Sequence, residues 1–518
     1  MAAPFAFEHQ AEFLPESSDE LLRSIPAAPG VFALRGADPT AEPYLTRAAD
    51  IRRRLRRLLA PPEALDENGQ PVPSKRLNLR ARIHWIEWTR TGSDFESTLL
   101  LYRAARSAFG PDEARRRLRL HAPYVLRTTM SQPHPRVYST NRLSKKSLGE
   151  SFGPFPSRAA AERYCDAVLD LFLLRRCYED LEPYPEHPGC VYGEMNKCMQ
   201  PCKEGNPQAC TPEQYAQEAQ RVFAFFTTRG QSLLDEIAAR RDAASEAMDF
   251  EGAATLHKQW EKVRAASLLA DELVRPLDQL RALILQEAAP LEDPEDEGRP
   301  EAAAVFLFER GQLCGPERLS TLGVRAVREQ TAVGSSLFAQ PLMLAPIPLD
   351  EPTPDHTPKN KSVILSEGAE QHPAPQPKDP DATSPTQTAP SFSTTTPEDR
   401  ARAAIDVLAM RTESAPDMAE FCDHLSLLRR WYYRPEKQRD GEVFLPNPDS
   451  SWPIRRILNG AARVALGPPA PVTPADREAA KALKTKIIHA GREGVEREVP
   501  VLPKRTRTRK AVTPDDLL

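Results

Sequence analysis

The uneven distribution of proline limits how this chain of 518 residues can fold. Eleven of its 52 prolines lie within residues 346–396, among Thr, Ser and Asp and with a single aromatic residue, Phe392. Such a segment has too little apolar surface to form a core, so we predict a disordered linker there. Residues 214–270 contain no proline, and we predict a helical region over that range.

The hydrophobic patterns on both sides of the linker predict an α+β protein, and the length is typical of about two to four domains. Strand and helix patterns alternate near the N-terminus, with strands predicted at residues 30–34, 43–46 and 82–89 and a helix at residues 51–59. A further helix is predicted at residues 158–174 and a hairpin around residues 310–311. The predicted segments, in chain order, are a small α/β module (20–110), a basic connector (111–150), a cysteine-rich region (151–212), a helical region (214–270), an α/β remnant (271–344), the linker (346–396), a second helical region (397–466) and a charged tail (467–518).

Positive charge is concentrated in one part of the chain. The formal net charge is −4, yet residues 47–146 contain 22 basic and 9 acidic residues, which gives this block a charge of +13 and leaves −17 for the rest. Such a block indicates an anionic partner, and nucleic acid is the partner that we predict. A solvated arginine-rich surface without a ligand is the alternative.

The N-terminal sequence has neither the basic segment nor the long apolar core of an export signal. Uninterrupted apolar runs such as residues 302–308 are far shorter than the ~20 residues that cross a bilayer. We therefore expect a cytoplasmic protein with no membrane partner.

Four of the eight cysteines lie within 26 residues, at Cys177, Cys190, Cys198 and Cys202. Thiolates bind soft metal ions, and four of them from a short segment can surround one zinc ion or hold an iron–sulfur cluster. Zinc sites usually contain two close cysteine pairs, whereas only the last two cysteines are close here. The spacing therefore favours an iron–sulfur cluster, with zinc and unliganded thiols as the alternatives.

Four segments occur in the order found in the excinuclease C (UvrC) family of bacterial nucleotide excision repair. They are YLTRAADIRRRL at residues 44–55, FGPFPS at 152–157, the four cysteines, and MDFEGAA at 248–254. The chain resembles this family over residues 20–270, about half of its length. The resemblance implies a GIY-YIG nuclease-like domain, a four-iron four-sulfur cluster on the cysteines, and a UVR helical hairpin that binds the B subunit, UvrB. The family's RNase H-like nuclease and helix-hairpin-helix motifs are not recognisable beyond residue 270.

The resemblance assigns catalytic positions to Tyr44 and Arg54, but other positions of the GIY-YIG pattern differ. Phe32 stands where the family has tyrosine, Thr46 replaces glycine, and the metal-binding glutamate of the family falls on Leu101. Hydrolysis of a phosphodiester needs an activated nucleophile and a divalent cation. Phenylalanine has no hydroxyl group and leucine has no oxygen ligand. We therefore expect the domain to hold DNA without cutting it and without a divalent metal ion.

Glu96 ends the sequence SDFE at residues 93–96, which has the spacing of a helix capping box. This spacing predicts a structural role for Glu96, and the alternative is that Glu96 or Asp94 serves as a relocated metal ligand. Tyr44 and Arg54 also have two interpretations: they contact DNA, or they are a half-buried strand aromatic and part of a solvated helix face.

Arginines surround most of the helix predicted at residues 51–59 and can follow a phosphate backbone. The predicted DNA-binding residues are Arg47, Arg52, Arg53, Arg54 and Arg57. We expect the surface to extend over Arg80, Arg82, Arg103, Arg106 and the arginines within residues 115–119.

The predicted UvrB-binding residues are Met248, Phe250, Glu251 and Ala254, which lie near the turn of the UVR-like helix pair at residues 233–263. Small alanines let two helices approach, and Phe250 is expected to fill the end of the pair. A hairpin of this size buries too little surface alone, so it needs a partner or the body of the protein. A generic amphipathic hairpin is the alternative.

Three functions follow from these patterns. The leading hypothesis is a truncated, divergent excinuclease C homologue that binds DNA and a UvrB-like subunit. The second is an active single-incision GIY-YIG endonuclease with relocated ligands. The third is a nucleic-acid-binding module outside repair, in which a metal cluster senses the redox state.

Overall fold

A computed structural model describes residues 5–38, 40–61, 77–207, 209–290, 301–324, 396–412, 416–435, 438–466, 488–490 and 496–498. The strands are β1 (His9–Glu12), β2 (Gly30–Arg35), β3 (Tyr44–Ala48), β4 (Trp85–Arg90), β5 (Tyr124–Thr128), β6 (Val137–Thr140), β7 (Ser151–Phe155), β8 (Arg275–Pro276), β9 (Ala282–Glu287), β10 (Ala302–Glu309), β11 (Gln312–Ser320), β12 (Glu442–Phe444), β13 (Ile488–Ala490) and β14 (Glu496–Glu498). The α-helices are α1 (Ser18–Ser24), α2 (Ile51–Leu58), α3 (Asp94–Phe109), α4 (Pro111–Arg117), α5 (Arg158–Leu169), α6 (Val191–Glu194), α7 (Pro212–Thr228), α8 (Gln231–Glu246), α9 (Phe250–Ser267), α10 (Pro397–Met410), α11 (Met418–Tyr432) and α12 (Ile454–Leu466). Short 3-10 helices cover Pro15–Ser17, Lys145–Glu150 and Pro201–Lys203.

The N-terminal module is an antiparallel sheet in the order β1-β4-β2-β3, covered by α1 and α2. Helix α2 buries Ile51, Leu55 and Leu58 against this sheet, because residues four and three apart lie on one face of a helix. The strands and helix predicted at residues 30–34, 43–46, 82–89 and 51–59 are all present, with boundaries shifted by one to three residues. The module therefore follows from local sequence patterns.

The second sheet has the order β6-β5-β7-β8, and helices α5, α7, α8 and α9 contribute to its core. Helix α5 is shorter than the helix predicted over residues 158–174, since it ends at Leu169. Residues 111–150, which we expected to be a loosely patterned connector, instead contain α4, β5 and β6. Strands β5 and β6 are therefore part of the second sheet.

The third sheet, β11-β10-β9-β12, is buried on both faces. Successive side chains of a strand point to opposite faces, and β10 uses both. Ala304, Phe306 and Phe308 pack toward α3 and α11, whereas Val305 and Leu307 pack toward α10 and α12. This explains the continuous apolar run at residues 302–308, and the hairpin predicted around residues 310–311 is confirmed as β10 and β11.

The N-terminal module is joined closely to the third sheet. Helix α3 follows β4 of the module, yet Phe95 and Leu99 of this helix belong to the core beneath β9 and β10. At Gly92 the backbones approach so closely that an added Cβ would lie 2.2 Å from the carbonyl oxygen of Glu287. The predicted boundary near residue 110 is therefore not a boundary between separate cores.

The fold is mixed α and β, with small antiparallel sheets and many helices. The hydrophobic patterns of the sequence predicted this mixture. The predicted linker at residues 346–396 and the charged tail at 467–518 lie outside the described residues, except for Thr396 and two three-residue strands, β13 and β14. Within the described part of the chain, none of the helices is long and apolar enough to span a membrane.

Candidate functional site

Tyr44 and Arg54, which the motif comparison assigns to one site, lie next to each other. Tyr44 is on the edge strand β3, and Arg54 is on α2, which starts where the Asp50 side chain accepts a hydrogen bond from the Arg53 N–H at 2.8 Å. The Arg54 Nη2 atom donates to the Tyr44 hydroxyl at 3.3 Å. Both side chains are half-buried, so the pair is fixed at the rim of the module.

Phe32 and Leu101 are two of the departures from the GIY-YIG pattern, and both are apolar side chains. Phe32 is completely buried on the central strand β2, with its ring centroid 6.5 Å from that of Tyr44. Leu101 is half-buried on α3. Phe32 therefore acts as a core residue, and neither side chain has an oxygen that could bind a metal ion or carry a proton.

Asp94, one candidate for a relocated metal ligand, is held between two arginines. Its Oδ1 atom bonds the Arg47 guanidinium, and its Oδ2 atom lies 2.8 Å from Nη1 of Arg434, which comes just after α11. Arg47 also donates to the Thr98 hydroxyl at 3.0 Å. The carboxylate is thus neutralised within the protein, and Arg47 is turned toward α3.

Glu96, the other candidate, has the structural role that the capping pattern predicts. The Glu96 N–H donates to the Ser93 hydroxyl at 3.1 Å, and the Glu96 carboxylate accepts from the Gly92 N–H at 2.8 Å. The carboxylate bonds the residue before the N-cap rather than the N-cap itself, so the capping box is shifted by one position.

Burial raises the pKa of the Glu96 carboxyl to about 7, because the desolvation of its charge outweighs the Gly92 hydrogen bond. The charge of Glu8 raises the pKa further, whereas Arg318 and Arg103 lower it. Glu96 borders a cavity of about 400 Å³ whose polar lining also includes Glu8, His9, Arg90 and Arg318. The charged form of Glu96 is therefore disfavoured in the folded state.

Replacing Glu96 with Gln should stabilise the protein above neutral pH. A folded-state pKa near 7 against an unfolded value of 4.5 means that the folded protein holds more protons between these values, so wild-type stability falls as the pH rises through this range. The difference corresponds to roughly 3 kcal/mol at most. Denaturant unfolding at pH 4.5 and pH 8 should show the gain at pH 8 only, and the exposed Glu246→Gln should show none; a gain that is equal at both pH values would contradict this assignment.

The exposed surface of α2 carries three arginines on one face. Arg53, Arg56 and Arg57 are exposed, and none of them forms an ion pair with another residue in the part of the chain that the structure describes. Arg52 instead donates to the Ile25 carbonyl oxygen at 2.5 Å. Of the predicted DNA-binding residues, Arg53 and Arg57 are available to an external phosphate, together with Arg56, which we did not single out.

Other arginines of the basic block join helices α3 and α4 to strand β11 and helix α11. Arg103 donates to the carbonyl oxygens of Gly315 and Leu313 at 2.8 and 3.1 Å. Arg106 pairs with Glu420 at 2.7 Å, and Arg115 pairs with the buried Asp423 at 2.8 Å. These arginines serve internal contacts, so the surface open to DNA is smaller than the charge block suggests.

The four clustered cysteines lie in the loops between α5 and α7. Cys198 and Cys202 are buried, and Cys177 and Cys190 are half-buried. Burial raises the pKa of the Cys198 thiol to about 12, and the charges of Cys190, Cys177 and Cys202 raise it as well, so the four sulfurs lie within electrostatic reach of one another. Among the described residues, however, no three His, Cys, Asp or Glu side chains are arranged as a site for a metal ion.

Two hydrogen-bond donors are directed at the sulfur atoms. The Arg175 Nη1 atom donates to Cys177 Sγ at 3.6 Å, and the Gln200 N–H donates to Cys198 Sγ at 3.3 Å. A thiol is a weak acceptor, whereas a thiolate is the form that binds metals and accepts such bonds well. Four cysteine sulfurs with these two hydrogen-bond donors beside them therefore have the chemistry that suits a soft metal ion or an iron–sulfur cluster.

Helices α8 and α9 form a helix pair joined by a short turn. Met248 in this turn has a left-handed backbone with a φ of +58°, and the Asp249 carboxylate caps α9 by accepting from the Gly252 N–H at 2.9 Å. Leu233 and Val263 are buried at the base of the pair. Met248 is 77% exposed and Phe250 is 68% exposed. Phe250 therefore does not fill the end of the pair as we expected, and the tip presents two large apolar side chains.

The other predicted docking residues lie on the same turn of α9. Glu251 and Ala254 are both exposed on the described surface. Together with Met248 and Phe250 they form what we call the hairpin tip.

Residues 123–225 match the family model of the UvrC/Cho excinuclease middle domain, which covers β5 to most of α7 and all four clustered cysteines. The chain is 30% identical over 249 residues to "UvrABC system protein C" of Actinobacillus succinogenes, an alignment of 48% of this chain and 38% of that protein. It is 26% identical over 270 residues to the protein of the same name from Aliivibrio salmonicida, covering 51% of this chain and 42% of that protein. Over about half of its length, the chain is similar to UvrC proteins. No solved structure matches it.

The UvrC-like chain aligns with only about two fifths of the length of these relatives. The part that the family model matches is the domain that contains the cysteines.

Several residues of the site could not be found from the sequence. Arg434 reaches Asp94 from 340 positions away (434 − 94), and Asp423 meets Arg115 across 308 positions. No local pattern links such residues. Arg175 stands two positions before Cys177, and only its burial in the structure distinguishes it from the adjacent Arg176.

Proposed function

We propose that this UvrC-like chain is a DNA-binding component of nucleotide excision repair that docks a UvrB-type subunit and does not incise DNA itself. The observation that carries the proposal is the match to the UvrC/Cho excinuclease middle domain, flanked by an arginine-bearing module and an exposed hairpin tip. These three parts give a protein that can bring DNA and a partner together.

DNA binding is assigned to the exposed face of α2. Arg53, Arg56 and Arg57 lie three and four positions apart, so their guanidinium groups project from one side of the helix. The opposite side is anchored in the core by Ile51 and Leu55. A rigid row of cations of this kind suits the phosphate backbone, which supplies most of the affinity of nonspecific DNA binding.

The proposal that the chain does not cut DNA rests on the chemistry of the side chains at the GIY-YIG-like site. Tyr44 and Arg54 remain in contact, as a nuclease would need. The carboxylate ligand of the family is replaced by Leu101, and Asp94 is bound by two arginines. Glu96 is buried and caps α3. The Tyr44–Arg54 contact favours the second candidate function, an active endonuclease, and an incision assay separates the two.

The hairpin tip is the proposed UvrB-docking surface. Its apolar side chains are exposed at the end of a helix pair whose base is packed into the protein, so the tip is presented on a fixed support. A metal site on Cys177, Cys190, Cys198 and Cys202 is proposed in addition, with an iron–sulfur cluster favoured by the spacing and zinc as the alternative. When bound, such a group would link the loops between α5 and α7.

Removing the three exposed arginines should weaken DNA binding and reduce its dependence on salt. The triple variant Arg53→Ala, Arg56→Ala and Arg57→Ala should lose on the order of tenfold or more in affinity at moderate salt, because each lost phosphate contact lowers the salt slope by about one. Fluorescence anisotropy with a labelled duplex at several salt concentrations measures both quantities.

The matched control removes the same charge from the C-terminal helices, where Arg402, Arg455 and Arg456 are exposed. Their triple alanine variant should bind DNA with nearly the wild-type salt slope. Equal losses in the two variants would mean that net charge, and not the α2 face, determines binding.

A further inference from the structure

Arg175 is a cation that is buried beside the first of the four clustered cysteines. Only 4% of the surface of Arg175 is exposed to solvent. The Nε atom donates to the His134 carbonyl oxygen at 3.0 Å, and Nη1 donates to the Glu179 carbonyl oxygen at 2.9 Å. In the described part of the chain, Arg175 forms no ion pair with Asp or Glu. Its neighbour Arg176, in contrast, pairs with Asp170 at 2.8 Å.

Neutral carbonyl oxygens compensate only part of the cost of removing a guanidinium group from water. The effective penalty for burying an ion is several kcal/mol unless an opposite charge compensates it. The remaining acceptor of Arg175 is Cys177 Sγ, 3.6 Å from Nη1. A negative charge on the cysteine sulfurs is therefore the compensation that the structure offers to this cation.

The backbone and the neighbouring rings hold Arg175 in place. Its N–H donates to the Tyr215 hydroxyl at 3.2 Å, and that hydroxyl donates to the Pro135 carbonyl oxygen at 2.7 Å. Tyr215 is buried on α7, so the helix, the loop between β5 and β6, and the first cysteine are connected through one side chain. The Arg175 backbone is thereby fixed, and the His134 and Glu179 carbonyl oxygens hold its guanidinium group.

We propose that Arg175 is a positioning residue for a metal–thiolate group on the four cysteines, orienting Cys177 and compensating the negative charge of the group. This inference rests on the proposed metal site. Four thiolates around one zinc ion, or around a four-iron four-sulfur cluster, carry net negative charge that an adjacent buried cation stabilises. A hydrogen-bond donor next to a metal ligand orients that ligand and adjusts the affinity of the site for its metal.

The test compares full-length protein prepared without oxygen as wild type, Arg175→Gln, Arg175→Lys and Arg176→Gln. Iron, sulfide and zinc per chain are measured first, followed by the rate of metal release to a chelator in excess. Arg175→Gln should release metal about 10 to 100 times faster than wild type, the range typical of lost outer-sphere hydrogen bonds. Arg175→Lys keeps the positive charge but loses the paired N–H donors of the guanidinium, so its rate of metal release should lie between those of wild type and Arg175→Gln. Arg176→Gln should release metal at the wild-type rate.

The outcomes distinguish the positioning role from the metal site itself. Wild-type protein that binds no metal would remove the proposed site and the role of Arg175 with it. If the wild type binds metal, and Arg175→Gln and Arg175→Lys release it as slowly as the wild type does, the role of Arg175 is wrong but the metal site stands. If Arg175→Gln does not fold, as judged by circular dichroism and DNA affinity, Arg175→Lys decides: release faster than wild type supports the proposal, and wild-type release contradicts it.

Discussion

Replacing Phe250 with Ala should reduce the affinity of the chain for a UvrB-type subunit by at least about tenfold. Phe250 is 68% exposed at the hairpin tip, next to Met248, which is 77% exposed. Burying a large apolar side chain at the centre of an interface contributes about 1.5–3 kcal/mol, and aromatic anchors often dominate binding. The loss therefore corresponds to roughly one to two factors of ten in affinity.

Calorimetric titration of the B subunit into the purified chain measures this effect. The thermal stability of Phe250→Ala should stay close to that of wild type, because the removed side chain makes little contact within the chain. Leu268→Ala is the matched control: Leu268 is 74% exposed just after the other end of α9, far along the helix from the tip. Leu268→Ala should bind as wild type does, and undiminished binding by Phe250→Ala would remove the docking surface from the proposal.

The local structure of the chain could largely be predicted from the sequence. Apolar residues at helical spacing predicted α2, and the SDFE pattern predicted a helix that begins after Ser93, which is the N-cap of α3. The proline-free stretch predicted helices over residues 214–270, where α7, α8 and α9 occur. These features depend on neighbours within a few positions, so a single sequence contains the information.

The joining of the two halves could not be predicted. The third sheet combines residues 282–320 with the short strand β12, and its two faces are covered by helices from before and after the linker. We expected an α/β remnant and a separate helical region there. Tyr102 and Asp423 meet at 3.1 Å across 321 positions, and such a contact leaves no periodic signal in the sequence.

The use of the basic block was also hidden from the sequence. A net charge of +13 over residues 47–146 indicated a DNA surface, yet composition does not tell which arginines have internal partners. Arg47, Arg103, Arg106 and Arg115 all bond groups within the protein. The part that remains exposed on α2 is small, and the proposed DNA contact is correspondingly local.

The second large effect concerns incision. Tyr44 and Arg54 are in contact. The motif resemblance places the family's metal-binding glutamate at Leu101, and a leucine side chain offers a divalent cation no carboxylate ligand. A cation that neutralises the phosphate and activates the nucleophile is the main source of catalysis in metal-dependent phosphodiester hydrolysis. The structure also places Phe32 in the core, where it cannot exchange protons with a substrate. We therefore expect DNA to be bound and left intact, with any incision in the same system made by another protein.

The most direct test is a Mg²⁺- or Mn²⁺-dependent incision assay on a damaged duplex, with the A and B subunits present, using wild type, Tyr44→Phe and Arg54→Ala. An active UvrC-type protein in place of this chain serves as the positive control. We expect wild type to bind the complex and leave both strands uncut, and we expect the same result from both variants. Robust cutting by wild type that is lost in Tyr44→Phe and Arg54→Ala would contradict this expectation.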